Sequence, residues 1–362
     1  MNCVMHLTCP LVLAMTMLLA GCGGDDTAST LPLTNAARGY QQIVSFGDSL
    51  TDGGTYNPTT ADADPSNNIP EGLQFTTKPG NTWAGYVARD LGLPLTPNWQ
   101  VNFGVVGNGG QVFELGGLNY AEGGAHILQD AANGGVVYQT IPGLGTVPVQ
   151  MATCRSIANQ ITSYLAENGN AFNAGQLVLI QGGISDFLAF LDAVSAQPSK
   201  AADAPTIIGS TTTAMAAQIQ RLRAAGATGI VYANLPDLGA TPRFRGTPLA
   251  GLATTLSTNY NAAMASELQD SGVMVLDVAS LFTQAIASPA SFGFANVTYP
   301  ACNNYSTPGD PATLSALLCS RDTLIAPGAD QVYLFADGLY PTARGQQIMA
   351  GRVLQQIRFS GD

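Results

Sequence analysis

A three-layer α/β/α domain with a central parallel sheet is the fold class this sequence predicts, and two observations carry that prediction. Short continuous apolar runs such as Leu177-Val178-Leu179-Ile180 are expected of strands buried on both faces. Longer stretches with helical apolar spacing separate these runs, and strand–helix–strand units of that length imply parallel strands covered on both sides. No internal repeat and no second domain boundary is evident in the 362 residues. A single domain over 43–358 is therefore expected.

The elements follow in chain order. The first strand is Ile43 to Phe46, and it ends abruptly in Gly47-Asp48-Ser49. Tyr56 to Gly80 is polar and Pro-rich and reads as a long surface loop. Thr82 to Leu91 reads as a helix, with Trp83, Tyr86, Val87 and Leu91 on one side. Asn98 to Val149 is dense in glycine and short apolar groups and shows no clear period. Ser156 to Glu167 predicts a helix with Ile157, Ile161, Tyr164 and Leu165 on one face, and Leu177 to Ile180 predicts the next buried strand. Thr212 to Ala225 predicts a helix with Gly226 as its C-terminal cap. The strand Gly229 to Leu235, the helix Leu249 to Gln269 and the short strand Val273 to Leu276 come next, and Leu281 to Ala287 and Thr342 to Ile357 look helical. Cys302 to Gln331 reads as an insertion before the last turn.

Composition narrows the function classes. Charged residues are 10% and hydrophobic residues 46%, with 41 Gly and 21 Pro, which is a globular, loop-rich profile. A net charge of −11 with 13 scattered basic residues argues against nucleic acid as a partner, because phosphate contacts need clustered Lys and Arg.

Residues 1–22 read as a targeting segment outside the fold. The apolar core Leu11 to Ala20 is too short to span a bilayer as a helix. Its end, Leu19-Ala20-Gly21-Cys22, resembles a bacterial lipoprotein cleavage box, which would make Cys22 the lipid-bearing first residue of the mature chain. No Lys or Arg precedes the core, so a plain secretory signal cut nearby is the alternative. Residues 23–42 would form a tether. The expected location is the cell envelope, anchored in a membrane through Cys22, or the exterior. Export permits disulfides, and pairing Cys302 with Cys319 would staple the insertion. Cys154 would remain as a small buried hydrophobe. No Cys/His cluster has metal-ligand spacing, so no metal site is expected.

An activated serine needs a base, a group to orient that base, and donors for the oxyanion. Apart from His6 in the leader, the one histidine is His126, which also reads simply as a polar residue on a Gly-rich loop. Three segments place polar residues just after apolar or Gly-rich runs: Asn119 to Ala125, Gly182-Gly183-Ile184-Ser185-Asp186, and Tyr333 to Thr342. In an open α/β sheet all three would gather with Ser49 at the carboxyl edge of the strands.

Taken in order, these four segments resemble the blocks of the GDSL or SGNH family of serine hydrolases, in its secreted bacterial esterase/lipase branch, over about 42–358. The resemblance implies a flavodoxin-like fold and hydrolysis of carboxylic esters or lipids through an acyl-enzyme, without a cofactor. By position it makes Ser49 the nucleophile and Asp337 the carboxylate that orients the base, and it gives the oxyanion backbone donors at Ser49 and Gly123. Asp48 and Asp52 would support the turn. Two positions depart from the family pattern: Ser185 stands where an oxyanion asparagine belongs, and Tyr340 where the histidine base belongs. A phenol of ordinary pKa near 10 is a poor proton acceptor at neutral pH. Three explanations stay open: His126 serves as a substitute base, Asp337 contacts Ser49 with Tyr340 as a relay, or the domain binds an acyl or glycan ligand without turnover.

Overall fold

A computed structural model describes residues 39–58, 73–103, 112–130, 136–141, 145–150, 154–303 and 315–359. The expectations for the signal segment 1–22, for Cys22 and for most of the tether lie outside the described residues. In chain order, β1 (Gln42–Phe46) comes first, with Ile43 to Phe46 buried, followed by β2 (Tyr56–Pro58) and α1 (Trp83–Asp90). The glycine-rich region holds β3 (Trp99–Phe103), β4 (Val112–Glu114), β5 (Val136–Ile141) and β6 (Gly145–Gln150). Next comes α2 (Ile157–Glu167), where the Ser156 side chain accepts from the Asn159 N–H and so satisfies one orphan donor of the first turn. The alternation continues through β7 (Gln176–Gln181), α3 (Ile184–Ala196), α4 (Ala204–Ala224), β8 (Gly229–Ala233), α5 (Ala250–Glu267), β9 (Met274–Leu276) and α6 (Val278–Ala287). The chain closes with β10 (Asn296–Pro300), α7 (Ala329–Val332), β11 (Tyr333–Phe335) and α8 (Ala343–Phe359).

The central sheet runs β1-β7-β8-β9, all parallel. Every residue of β7 and β8 is buried, as a sheet covered on both faces requires. Helix α1 packs with α8, while α4 packs with α2, α3 and α5. This is the three-layer α/β/α architecture the sequence predicts. On the far side of β1 the chain adds one more parallel rung: Ser45 N donates to Leu118 O (3.0 Å) and Tyr120 N to Ser45 O (2.8 Å). Segment 118–120 therefore precedes β1 in the spatial order, giving the flavodoxin-like 2-1-3-4-5 sequence of strands. The order reverses at β1, so its carboxyl end is the switch point where such sheets open a crevice.

Four regions differ from the sequence reading. Tyr56 to Gly80 is not simply a surface loop, because Tyr56, Leu73, Phe75, Thr76 and Thr77 are buried; residues 59–72 lie outside the described set. Asn98 to Val149 contains β3 to β6, which pair with each other and with β2. A full helix, α3, grows from the Gly182 to Asp186 turn, and α4 starts at Ala204 instead of Thr212. The Gly226 cap is as expected, with φ +97°. Cys302 and Cys319 are disulfide-bonded with Cα atoms 5.7 Å apart, and Cys154 is free and buried. No helix among the described residues is long and apolar enough to cross a membrane.

Candidate active site

Glycine at the end of β1 is a steric requirement. Gly47 has φ +150°, and a Cβ there would stand 2.6 Å from the carbonyl oxygen of Gln181 at the end of β7. The buried Gln160 of α2 holds both main-chain groups of Gly47, accepting from its N–H (2.9 Å) and donating to its carbonyl (2.9 Å). Thr51 N and Asp52 N then fold back onto Asp48 O at 3.0 and 3.1 Å. Ser49 sits at the apex of this fixed turn, only 2% exposed. Its Oγ accepts a hydrogen bond from Gly124 N (3.0 Å), and the Tyr340 phenol stands near enough to interact with it.

The two aspartates beside Ser49 tie the turn to its neighbours. Asp52 Oδ1 accepts from Gly54 N and Thr55 N, both at 2.8 Å, and Oδ2 accepts from Gly123 N at 2.8 Å. Asp48 accepts from Leu50 N (3.2 Å) and from the Gln181 amide (2.6 Å) when that amide is oriented so that its oxygen accepts from Gly182 N. This corrects one expected role. The Gly123 N–H is committed to Asp52, so the glycine-block donor beside Ser49 is Gly124. Gly123 itself is required by space, since a Cβ there would overlap the rings of Phe75 and Tyr56.

From the next strand over, β7, the chain turns into α3 and sets Ser185, 8% exposed, and Asp186 in its first turn. Asp186 Oδ1 lies 3.4 Å from His126 Nδ1, and Oδ2 accepts from Ile127 N at 3.2 Å. His126 is half-buried. Its hydrogen bond to Asp186 and the negative charges of Asp186 and Asp48 push its pKa above 6.5, against the opposing effect of burial.

At the end of β11, Asp337 Oδ1 accepts from Leu339 N (2.7 Å) and Tyr340 N (2.6 Å), while Oδ2 accepts from Ala316 N (2.7 Å). Among the described residues these amides are its hydrogen-bond partners, so no direct Asp337–Ser49 contact supports a serine–carboxylate pair. The disulfide keeps the Ala316 turn in place, with Cys302 N bonded to Ala336 O at 3.1 Å. Burial, with the charges of Asp48 and Asp337, pushes the Tyr340 phenol well above its usual 10. Tyr340 therefore stays protonated at neutral pH and stands near Ser49 as a neutral phenol, not a base.

Burial also pushes the carboxyls up from 3.8, to about 7 for Asp48 and about 6 for both Asp52 and Asp337. A carboxyl with a raised folded pKa contributes stability that is complete below its unfolded pKa and is lost as pH rises through the folded one. His126, also raised, acts with the same sign. Lys78, lowered by burial to about 7, opposes this only above that pH, and Asp130 and Asp277, both lowered, act only below pH 4. The melting temperature is thus expected to fall between pH 5 and pH 7, with each group contributing at most roughly 1.4 kcal/mol per pH unit. A calorimetric Tm that rises over this interval would contradict the burial of these carboxyls.

The sequence reading missed Gly124, Asp186, Gln160 and Gln181. For Gln160 a signal existed, a polar residue on the apolar side of its helix between Ile157 and Ile161. Asp186 was visible only as the acidic end of a turn.

A model of the family described as GDSL-like Lipase/Acylhydrolase matches residues 43–353. The chain is similar to Esterase EstA of Pseudomonas aeruginosa, 28% identical over 346 residues that cover 93% of this chain and 50% of that protein. It is also similar to a GDSL esterase/lipase of Arabidopsis thaliana, 26% identical over 339 residues, covering 88% and 82%. Among solved structures, phospholipase A1 from Streptomyces albidoflavus NA297 aligns with a TM-score of 0.41 at 14% identity, covering 88% of this chain and 99% of that one. The chain spans about half the length of the Pseudomonas proteins it matches. With the Gly-Asp-Ser turn, the glycine block and the Asp337 turn converging at one sheet edge inside the matched residues, this chain belongs to the GDSL-like lipase/acylhydrolase family.

Proposed function

We propose that the protein hydrolyses carboxylic esters or lipids, with Ser49 attacking the acyl carbon to give an acyl-enzyme. The observation that carries this reading is the 3.0 Å contact of Gly124 N–H with Ser49 Oγ in a buried turn at the switch point of the sheet. A carbonyl carbon brought to Ser49 Oγ would leave its oxygen among the backbone N–H groups of Ser49 and Gly124 and the Ser185 hydroxyl. Fixed donors of this kind stabilise the oxyanion without reorganisation. A hydroxyl reaches less far than the family's amide, and loss of one oxyanion donor costs about 10²–10³ in turnover, so a slow enzyme is expected. The protonated Tyr340 adds one more hydrogen-bonding group at the serine. The relatives' names, an esterase and a GDSL esterase/lipase, point the same way.

One observation favours a second reading. A protonated phenol occupies the family's histidine position, as it would in a non-catalytic relative that binds an acyl or glycan ligand. A short-chain p-nitrophenyl ester assay on the mature protein separates the two. Turnover that depends on Ser49 is the expected result, and ligand binding with no such turnover would leave only the second reading.

The expected location is the cell envelope, with Cys22 lipidated, on the strength of Leu19-Ala20-Gly21-Cys22. Cells fed labelled palmitate are expected to label the wild-type protein and not Cys22→Ser. Equal labelling of the two would remove Cys22 as the anchor.

A further inference from the structure

We infer that His126 and Asp186 form the acid–base pair that serves Ser49, in place of the Tyr340 and Asp337 positions. This rests on the reading of Ser49 as an ester-hydrolysing nucleophile.

The geometry has the parts such a pair needs. The Asp186 carboxylate lies against His126 Nδ1 at 3.4 Å. A carboxylate at Nδ1 holds the proton there and leaves the Nε2 lone pair free to accept another, as a base that deprotonates serine must. The other Asp186 oxygen is fixed by the N–H of Ile127, the residue that follows His126. The carboxylate is therefore locked to the same loop as the imidazole it orients. It also sits in the first turn of α3, a 13-residue helix, where the helix N-terminus favours negative charge.

The pair is also close to the nucleophile. Gly124, two residues before His126, donates directly to Ser49 Oγ, and two residues of chain span at most about 7 Å. A general base requires hydrogen-bond reach or one intervening water, and the Gly124 contact holds the loop that carries the imidazole against Ser49 Oγ. The charge of Asp48, the residue before Ser49, acts on His126. The charged groups that act on the imidazole are Asp186 from α3 and Asp48 from the turn after β1. His126 is half-buried, so water and substrate can approach it. By contrast, Tyr340 keeps its proton, and both Asp337 oxygens accept from backbone amides.

In the forward step, Ser49 Oγ bonds to the acyl carbon as its proton passes to His126 Nε2, and the carbonyl π pair moves onto oxygen. Collapse of that oxyanion breaks the bond to the alcohol oxygen, which leaves with the proton from Nε2. Water then attacks the acyl-enzyme and gives its proton to Nε2. The Ser49 Oγ–acyl bond breaks, Oγ takes that proton, and the carboxylic acid departs. Asp186 touches none of the reacting atoms and is a positioning residue.

The test measures kcat/KM against pH on a p-nitrophenyl ester for the mature wild type, His126→Ala, His126→Gln and Asp186→Asn, with Ser49→Ala as the reference. Removing a general base typically costs about 10²–10⁴-fold. Both His126 variants are expected to lose that much, and added imidazole should restore part of the activity of His126→Ala. The wild-type rate should rise with deprotonation of His126, and Asp186→Asn should move that limb to lower pH. Wild-type rates and an unchanged pH profile in His126→Ala and His126→Gln, with Ser49→Ala inactive, would overturn the pair and leave the hydrolase reading standing. Wild-type protein with no Ser49-dependent turnover would overturn both.

Discussion

Ser49→Ala is expected to lower ester turnover by about 10³-fold or more, since the acyl-enzyme route loses its only nucleophile. The protein should stay folded. Ser49 is a small side chain at a turn apex, and its Oγ accepts from the Gly124 amide. Losing that oxygen leaves the Gly124 amide short of a partner, a cost of about 1–3 kcal/mol for a donor left unpaired. This loss does not touch the Gln160 clamp on Gly47 or the Asp52 contacts that shape the turn. Activity and stability should therefore separate in this variant, and parallel assays of ester hydrolysis and thermal unfolding check it.

Asp52→Ala carries the second large effect, and here stability and activity should fall together. The Asp52 carboxylate is wholly buried and accepts from Gly54, Thr55 and Gly123 amides. Truncation leaves those three donors unpaired, and at about 1–3 kcal/mol per buried amide the loss is expected to reach roughly 3–9 kcal/mol. Gly123 adjoins Gly124, so loosening the first amide misplaces the donor on Ser49 Oγ. A displacement of this kind typically costs about 10²-fold in rate. Asp52→Asn should be milder, because the amide oxygen can keep two of its donors while the amide nitrogen repels the third. Denaturant unfolding and kcat on the three proteins check this order. An Asp52→Ala protein as stable as wild type would show that the carboxylate does not organise the turn.

Much of the fold was legible because burial leaves a period in the sequence. Leu177 to Ile180 had to be a strand covered on both sides, and Ile157, Ile161 and Tyr164 had to face inward on one helix. What escaped has physical reasons. The side chains of β4 are exposed, so no apolar alternation marks it, and its existence depends on pairing with β3. Tyr56 and Phe75 are buried by long-range contact, Phe75 with its ring centroid 5.3 Å from that of Tyr340, inside a stretch whose Pro and polar content suggests solvent. Helix α3 left a readable trace in Phe187, Phe190, Leu191 and Val194, but its Gly-Gly start resembles a turn.

The site was legible at its nucleophile and less so at its partners. Ser49, Asp337 and Tyr340 come from local motifs that sequence alone displays. Which of two adjacent glycines faces the serine depends on the direction of their amides, and the Asp52 contact settles that only once the chain is folded. The His126–Asp186 contact joins residues remote in sequence. It exists because segment 118–120 and β7 both flank β1 in the sheet, so the loops beyond their carboxyl ends meet.

The claim that Ser49 is an activated nucleophile is tested most directly by treating the mature protein with a fluorophosphonate and mapping the adduct by peptide mass spectrometry. The expected result is a single phosphonylated site, on Ser49, that is lost in Ser49→Ala and slowed at low pH as His126 protonates. An unmodified Ser49 in the folded protein, or an adduct that persists at another residue in Ser49→Ala, would contradict it.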